Sequence, residues 1–563
     1  MNKIAIIVKS EEDYLEQKKI FRESKYFASN FITYLKLKKY NISYLFDENK
    51  QLTNDFLDLN YISQNWYRGK NNRDLLEKNG ISIAIPITRR ILTVFANNLK
   101  VLRVLEKLLS QYDFIHISDK SEESFLCVAQ ILKKKVKFFS SKNYVNNEIT
   151  SVPSRTKITS PKVYLISYLL RTIQRLIKYR LNNKILINNN WHYRNFFLKK
   201  SGTLYMNSFY PQRGYYFTNY GNNKYYNEAI EIFRKNNLKD FFDKFDLQKI
   251  LISKNVKYEI NTVELLKLSI LKTYDESYKN LRKTYAIYRE LFSFYKPRKI
   301  MFSGTTHFEY ILGSQIARKY GIETIVAIDG HSIIADPTAF YKDSSSKKFV
   351  FDKFIAYGSA TYDLYLYQEK IPKKNLILAQ SPLFKFPIYK KNKPKYDVII
   401  LSYYPNLHNP SSKWDKRFKF VEEIMNVLIE LKYDNIIIKI KDGIGSNDEI
   451  NAYKSYFDLK NLKQKLVFKK GKLSDFYADT KIIVGQISTA AYEASTQNIP
   501  FYVYEPYESG LIDNNLKNGY FSDFKNISRT AIDLRKMLQE SGSLKQNPGN
   551  YISNGPKIDK INF

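Results

Sequence analysis

The chain has 563 residues, of which 44% are hydrophobic, enough to fill two or more domain cores and to exclude a disordered polymer. Lys and Arg number 91 against 55 Asp and Glu, and the net charge of +36 fits a polyanionic partner or the codon bias of an AT-rich genome. The single cysteine, Cys127, excludes a disulfide framework and a cysteine metal cluster and predicts a reducing, cytoplasmic location. No apolar run approaches the roughly 18–20 residues of a membrane-spanning helix, and the short run after Lys3 predicts a first strand, not a signal peptide.

Short apolar runs alternate with longer helical patterns over the first 150 residues. Helical periodicity covers Ile91–Leu109 and Glu122–Lys133. The predicted strands are Ile4–Val8, Ile42–Phe46, Ile81–Ile87, Phe114–Ile117 and Val136–Phe139. This alternation predicts parallel strands joined by crossover helices.

The pattern changes at about Ser151, where a basic amphipathic helix is predicted over Val163–Tyr179. Its apolar residues share one face, opposite Arg171, Arg175 and Lys178. Such a helix either docks on a core with a solvated basic face or adsorbs to an anionic membrane surface.

A long helix is predicted to begin at a capping box formed by Asn261 and Glu264 and to end before Pro297. Tyrosines recur along it at helical spacing, which favours packing over a ligand site.

Strand and helix alternate again from Arg298 and, after a Pro- and Lys-rich linker at Pro387–Lys395, once more from Tyr396. We therefore predict an α/β fold with two doubly wound, Rossmann-like domains facing a cleft. The N-terminal domain spans residues 1–386, with a mainly helical insertion at about 151–297, and the C-terminal domain spans 396–527. Residues 528–563 form a last helix and a polar tail.

The segment Lys481–Pro506 reads as a buried strand, a loop with glycine, a helix and a second buried strand. Gly485 permits close approach of a ligand to the backbone, and Ser488 and Thr489 stand where the helix begins. The N–H groups and dipole of a helix start favour a phosphate, although ordinary helix capping explains the same residues. Glu493 follows Thr489 by about one turn and could accept hydrogen bonds from sugar or ribose hydroxyls.

This segment, "GQISTAAYEASTQNIPFYVYE", resembles the C-terminal domain of GT-B glycosyltransferases and the related glycerophosphotransferases of cell-surface polymers. The resemblance implies that Gly485, Ser488 and Thr489 line the donor phosphates and that Glu493 contacts the ribose. Asn498 stands where those families usually have glycine.

A second resemblance, to capsule and surface-carbohydrate transferases, lies in "GTTHFEYILGSQIARKYGIETIVAIDGHSIIADP". It implies that Asp329 or His331 acts as general base on an acceptor hydroxyl at a strand end facing the cleft. A plain Asp-Gly turn with a hydrogen-bonded histidine is the alternative.

Two further donor contacts are predicted in the C-terminal domain. His408 lies in the loop after the first strand of that domain, where such transferases present a loop to the donor, and a polar surface loop is the alternative. Lys439 ends a strand and matches a lysine of the families named, although the His-Pro pair they carry nearby is absent here.

The function predicted first is a metal-independent GT-B glycosyltransferase that moves a sugar from a nucleotide-activated donor to a capsule, O-antigen or similar polysaccharide acceptor. No metal and no cofactor is expected, since acids at helix-like spacing do not form the Asp-x-Asp site of other transferases. A glycan or lipid-linked glycan is the predicted acceptor, at the inner face of the cell membrane. A CDP-glycerol or ribitol phosphotransferase is the alternative enzyme, and a basic nucleic-acid-binding protein, for which no motif is recognisable, is the alternative of another class.

Overall fold

The structure is a computed structural model of the chain. It describes residues 3–46, 56–69, 72–133, 135–140, 185–187, 203–205, 224–302, 304, 307–327, 350–368, 370–380, 394–402, 414–440, 446–459, 467–486, 488–497, 499–507, 527–540, 555–557 and 561. Within these residues the parallel strands form three sheets, which we call the first, middle and C-terminal sheets.

The first sheet has the order β3-β2-β1-β6-β7, and all its strands are parallel. In chain order this is 3-2-1-4-5, the arrangement of a doubly wound sheet with a switch point between β1 and β6. Its strands are β1 (Ile4–Val8), β2 (Lys25–Ala28), β3 (Ser43–Tyr44), β6 (Phe114–Ser118) and β7 (Val136–Phe139). Its helices are α1 (Glu11–Ile20), α2 (Phe31–Leu37), α3 (Phe56–Asn65), α4 (Thr88–Leu109) and α5 (Glu123–Ile131).

The middle sheet has the order β13-β12-β11-β10-β8-β9 and is also parallel. Its strands are β8 (Ile185–Ile187), β9 (Thr203–Tyr205), β10 (Lys299–Phe302), β11 (Glu323–Ala327), β12 (Lys353–Tyr357) and β13 (Leu376–Ala379). Helices α6 (Lys224–Ile232), α7 (Asn237–Lys244), α8 (Leu247–Ile252), α9 (Ile260–Tyr295), α10 (Phe308–Lys319) and α11 (Gly358–Asp363) accompany it.

The C-terminal sheet has the order β16-β15-β14-β17-β18-β19, which is 3-2-1-4-5-6 in chain order, as in dinucleotide-binding Rossmann folds. Its strands are β14 (Tyr396–Leu401), β15 (Ile436–Lys439), β16 (Val467–Lys469), β17 (Thr480–Gly485), β18 (Phe501–Tyr504) and β19 (Ile527–Ser528). Its helices are α12 (Trp414–Glu430), α13 (Ser446–Leu459), α14 (Thr489–Thr496) and α15 (Ala531–Gln539).

The prediction of doubly wound parallel sheets is confirmed, but the N-terminal segment differs from the single interrupted domain that was predicted. Strands β10 to β13 do not join the first sheet; they pair with β8 and β9, from within the predicted insertion, and build the middle sheet. The predicted domain limits stay predictions.

The long helix α9 contacts helices that accompany both the first and the middle sheet. It packs against α4 and α5 of the first sheet and against α6 and α10 of the middle sheet. Tyr288 of α9 is fully buried, and a Cβ at Gly313 of α10 would lie only 2.5 Å from the Tyr288 ring. Gly313 is therefore required for the two helices to approach this closely.

The start of α9 differs in detail from the prediction. The N-cap residue is Glu259, not Asn261. The Asn261 side chain instead donates to Glu106 of α4 at 2.9 Å. A long-range bond between helices thus replaces the local capping box.

The predicted strand Ile81–Ile87 is wrong. Only Ile81–Ser82 is extended, as β5 of an antiparallel pair with β4 (Glu77–Lys78), and Ile85–Ile87 forms a 3-10 turn leading into α4. Pro86 explains the difference, because its fixed φ and missing N–H favour the start of a helix over a strand.

Each of the three sheets, with the helices that accompany it, is called a unit below. The first and C-terminal units contact each other through stacked aromatic rings. Phe31 of α2 lies 6.1 Å from Tyr456 of α13, with ring planes 28° apart. Tyr456 in turn stacks on Phe418 of α12 at 4.6 Å, and the Lys419 ammonium lies 5.5 Å from the Phe31 ring centre. One continuous apolar core therefore includes side chains from all three units.

The C-terminal tail returns to the middle sheet. The Gln380 N–H, directly after β13, donates to the Pro556 carbonyl at 2.9 Å, and Gln380 forms a parallel bridge with Lys557. A Cβ at Gly555 would lie 2.8 Å from the Ala379 backbone. Ile561 packs against apolar residues of the middle sheet. The tail, predicted only as polar, thus extends an edge of that sheet.

Candidate functional site

The C-terminal sheet has its topological switch point between β14 and β17. These strands are neighbours, but the helices that follow them belong to opposite halves of the sheet. Ligands of doubly wound sheets bind outside the carboxyl ends of the strands at such a point. The strands that meet there end at Leu401, Lys439 and Gly485.

Gly485 is needed at this edge because a side chain there would collide with the neighbouring strand. A Cβ at Gly485 would lie 2.9 Å from the Cβ of Leu401 on the neighbouring strand, closer than real Cβ contacts. The glycine therefore lets β14 and β17 end side by side. Its predicted contact with a ligand stays a prediction.

Helix α14 begins where the sequence predicted it. The N–H of Ala491 donates to the carbonyl of Ser488 at 3.0 Å, and Thr489 is the first residue of the helix. The Ser488 side chain is half-buried. The helix start thus follows the carboxyl end of β17 directly.

Glu493 lies one turn into α14 and is half-buried. Burial raises the pKa of its carboxyl, while the nearby Tyr477 hydroxyl and the charge of Lys439 oppose the rise. Tyr477 itself is buried in a 3-10 helix that precedes β17. The carboxyl of Glu493 therefore lies near a buried phenol.

Lys439, the last residue of β15, is only 8% exposed. Its ammonium donates to the carbonyl of Ile440 at 3.2 Å, and its charge acts on Glu493 of α14. The structure thus brings together Lys439 and Glu493, which the sequence singled out separately. A buried lysine beside a carboxylate at a switch point supplies a positive charge next to a hydrogen-bond acceptor.

Three further residues that sequence reasoning missed lie at the same edge. Ser402 follows β14 directly; its N–H donates to the Lys439 carbonyl at 3.2 Å, and its hydroxyl bonds with Glu449 of α13. Glu449 faces Arg417 in the first turn of α12, with Nη1 and Oε1 3.9 Å apart and side chains only 12% and 14% exposed. Burial raises the pKa of the Glu449 carboxyl, and Arg417 and then Ser402 oppose the rise. In the sequence, only the position of Ser402 directly after a predicted strand could have indicated these residues.

The other predicted site residues lie outside the described residues. Asp329 and His331 follow β11 in the chain, and His408 falls between β14 and α12. Their roles stay predictions.

The carboxyl edge of the middle sheet carries an ionisable group that the sequence did not indicate. Phe302 of β10 pairs with Val326 of β11, so the segments that leave these two strands start at the same edge. Glu309, in the first turn of α10, is half-buried there, and burial raises the pKa of its carboxyl from 4.5 to about 7. Its charge acts on the buried Tyr288 hydroxyl.

Among the described residues, no group of three or more His, Cys, Asp or Glu side chains could hold a metal ion. Within the same residues, no helix combines the length and the apolar character needed to cross a bilayer.

No protein-family model matches the chain, and no curated protein matches it in sequence. Solved structures that it resembles include the Methanocaldococcus jannaschii UDP-GlcNAc 2-epimerase in complex with UDP-GlcNAc and UDP, at 13% identity and a TM-score of 0.39, over 66% of this chain and 96% of that one. Anabaena HepE in complex with UDP and glucose matches at 8% identity and a TM-score of 0.33, over 64% of this chain and 100% of that one. The wall teichoic acid polymerase TagF matches at 9% identity and a TM-score of 0.32, over 70% of this chain and 94% of that one.

These neighbours are GT-B fold enzymes, as the sequence resemblance predicts. Likenesses at such low identities and TM-scores carry no argument about function, which depends on the residues of this chain.

Proposed function

We propose that this chain is a glycosyltransferase that moves a sugar from a nucleotide-activated donor to a cell-surface polysaccharide acceptor. The observation that carries the proposal is the electrostatic interaction of the buried Lys439 with Glu493 at the switch point of a sheet with 3-2-1-4-5-6 order. A positive charge and a half-buried carboxylate at this position suit the phosphate and the ribose of a nucleotide.

In the proposed reaction the bond between the sugar C1 and the donor phosphate oxygen breaks, and the nucleotide leaves with the electron pair. The Lys439 ammonium and the start of α14 after Ser488 stabilise the negative charge that develops on the leaving phosphate. Glu493 accepts hydrogen bonds from the ribose and so fixes the donor orientation.

The acceptor hydroxyl forms the new bond to C1 and gives its proton to a base on the middle unit. Asp329 or His331 serves as that base in the proposal. The acceptor is a glycan or a lipid-linked glycan, and the basic segment Val163–Tyr179 holds the enzyme at the inner face of an anionic membrane. No metal ion takes part in the proposed step.

Thermal-shift measurements with CMP-, CDP-, GDP-, UDP- and dTDP-sugars test the proposal. We expect at least one nucleotide to stabilise the folded chain, since a ligand that binds only the native state raises its unfolding temperature. We expect Glu493→Ala to reduce that stabilisation, because its carboxylate belongs to the site. The control is Glu430→Ala, which removes an exposed carboxylate from α12. If no nucleotide stabilises the chain, the proposal is wrong.

Salt dependence separates this proposal from polyanion binding. Nucleic-acid binding through the net charge of +36 would fall steeply between low and moderate salt. Donor binding at a buried lysine is screened far less. Nucleic-acid binding that collapses with salt, without any nucleotide-sugar binding, would favour the nucleic-acid alternative.

A further inference from the structure

The turns that precede the strands of the first sheet lie together at one edge, which we call the amino-terminal edge. Because all five strands are parallel, the residues before β1, β2, β3, β6 and β7 meet there, opposite the edge at which ligands of such sheets bind. Hydrogen bonds join neighbouring turns of this edge. The Lys25 ammonium donates to the Asn41 carbonyl at 3.4 Å, and the Asp113 N–H donates to the Lys3 carbonyl at 2.8 Å.

The amino-terminal edge is strongly basic. Residues 18–41, which run from the end of α1 to the turn before β3, contain seven Lys and Arg against one Glu, a net charge of +6 in 24 residues. The whole chain, with +36 in 563 residues, averages about 1.5 charges over the same length, so overall composition does not account for the cluster. The exposed Lys3, Lys133 and Lys135 extend the positive charge to the turns before β1 and β7.

Two large apolar side chains are exposed among these cations. Ile20, the last residue of α1, is 68% exposed, and Tyr40, which ends a 3-10 turn before β3, is 41% exposed. Tyr40 lies beside α1, since its ring centre is 5.2 Å from that of Tyr14, and the Lys39 ammonium lies 4.9 Å from the Tyr40 ring centre. Helix dipoles favour lysines at the C-terminal ends of α1 and α2, but they give no reason to expose Ile20 and Tyr40.

Cations around exposed aliphatic and aromatic side chains match the headgroup region of an anionic membrane. Lys and Arg are attracted to anionic headgroups, and tyrosine favours the boundary between the apolar and the aqueous phase. An exposed isoleucine gains free energy when it enters the boundary between headgroups and acyl chains. A soluble polyanion would neutralise the same cations but would leave Ile20 in water.

We propose that the amino-terminal edge of the first sheet docks on an anionic lipid membrane, with Ile20 and Tyr40 at the depth of the headgroups and Arg22, Lys38 and Lys39 facing anionic lipids. This surface takes no part in the proposed transfer step, so the inference goes beyond the proposed function and does not depend on donor binding. It adds a second contact to the one proposed for Val163–Tyr179 and states which edge of the first sheet faces the bilayer.

Co-sedimentation of the full chain with lipid vesicles tests the inference. We expect vesicles of phosphatidylcholine mixed with phosphatidylglycerol to bind the chain at least about tenfold more tightly than phosphatidylcholine alone, since each cation near an anionic surface contributes about fivefold. In the double variant Lys38→Gln and Lys39→Gln we expect the affinity for the anionic vesicles to fall about 10- to 30-fold. Ile20→Ser is expected to lower it about three- to tenfold, because the shorter, polar side chain no longer gains from entering the headgroup region.

The matched control is the double variant Arg535→Gln and Lys536→Gln. It removes the same charge from α15 of the C-terminal unit, where the two side chains are 50% and 75% exposed. Its affinity for anionic vesicles is expected to equal that of the unaltered chain. Thermal unfolding of each variant shows that it is folded, and its thermal shift with nucleotides shows whether the donor site is intact.

Each contrary outcome has a definite meaning. The inference is overturned if the chain does not bind anionic vesicles, or if the control loses as much affinity as the Lys38 and Lys39 variant, because net charge then acts without a particular surface. It is also overturned if the edge variants bind like the unaltered chain while Arg171→Gln with Arg175→Gln abolishes binding, since the Val163–Tyr179 segment then makes the contact alone. Binding of nucleic acid but not of vesicles, abolished by the edge substitutions, would identify a soluble polyanion as the partner instead. Vesicle binding without any nucleotide binding would contradict the proposed function and leave this inference standing.

Discussion

Glu309 offers a quantitative test of the chemistry at the carboxyl edge of the middle sheet. Burial raises the pKa of its carboxyl from 4.5 to about 7. The substitution Glu309→Gln keeps the shape of the protonated acid and removes its titration. We expect this variant to gain stability relative to the unaltered chain as the pH rises from 5 to 8.

The size of the expected stability difference follows from the raised pKa of the Glu309 carboxyl. A rise from 4.5 to about 7 is 2.5 pKa units, which at 1.36 kcal/mol each is about 3 kcal/mol; because the side chain is only half-buried, we expect about 1–3 kcal/mol. The sign follows from proton binding. Between pH 4.5 and 7 the folded state holds the proton more tightly than the unfolded state, so stability falls as pH rises through this window.

Urea unfolding of both proteins at pH steps from 5 to 8, followed by fluorescence, measures the difference. Tyr288, on whose hydroxyl the charge of Glu309 acts, is present in both proteins. Glu12→Gln, which removes an exposed carboxylate from the second position of α1, controls for the loss of a first-turn charge. Stability curves for Glu309→Gln and the unaltered chain that run parallel across the whole pH range would refute the reasoning.

Three further predictions follow from packing and charge. Gly313→Ala is expected to destabilise the chain by about 1–3 kcal/mol because its methyl group would overlap the Tyr288 ring, and a variant that unfolds at or above the original temperature would contradict this. Asp397→Asn is expected to cost stability at pH 7, since Lys481 lowers the pKa of the Asp397 carboxyl from 3.8; the cost persists down to the ordinary pKa and disappears only as the pH falls through the lowered pKa and protonates the folded state, which acid-range unfolding measures. Deletion of residues 555–563 is expected to lower the unfolding temperature while nucleotide binding persists, since the described residues of the tail pair and pack with the middle sheet; loss of binding in a folded deletion variant would count against this.

Apolar runs were sufficient to predict the central strands of the sheets. Ile4–Val8 and the strand of Lys439 are continuous buried runs, as expected for parallel sheets. β2 was missed because Lys25–Ala28 has only four residues and is half-buried, so it carries little periodicity. The capping box at Asn261 failed because the side chain bonds to Glu106, a contact that only the tertiary fold creates.

The candidate site could be predicted only where a motif was local. Ser488, Thr489 and Glu493 share one strand–loop–helix segment, and their placement at a strand end was readable from its pattern. Arg417 and Glu449 belong to different helices, and nothing in the sequence between them indicates that they meet. Pairs of this kind depend on the sheet order, which the order of strands along the chain does not determine.

The stacking of Phe31 on Tyr456 and the pairing of the tail with Gln380 limit how this protein can move. The first unit contacts the C-terminal unit through these rings, and the end of the chain pairs with the middle unit. Tertiary contacts, as well as the chain itself, therefore connect the three units. Any motion that moves the C-terminal sheet away from the first sheet must therefore separate the Phe31 and Tyr456 rings.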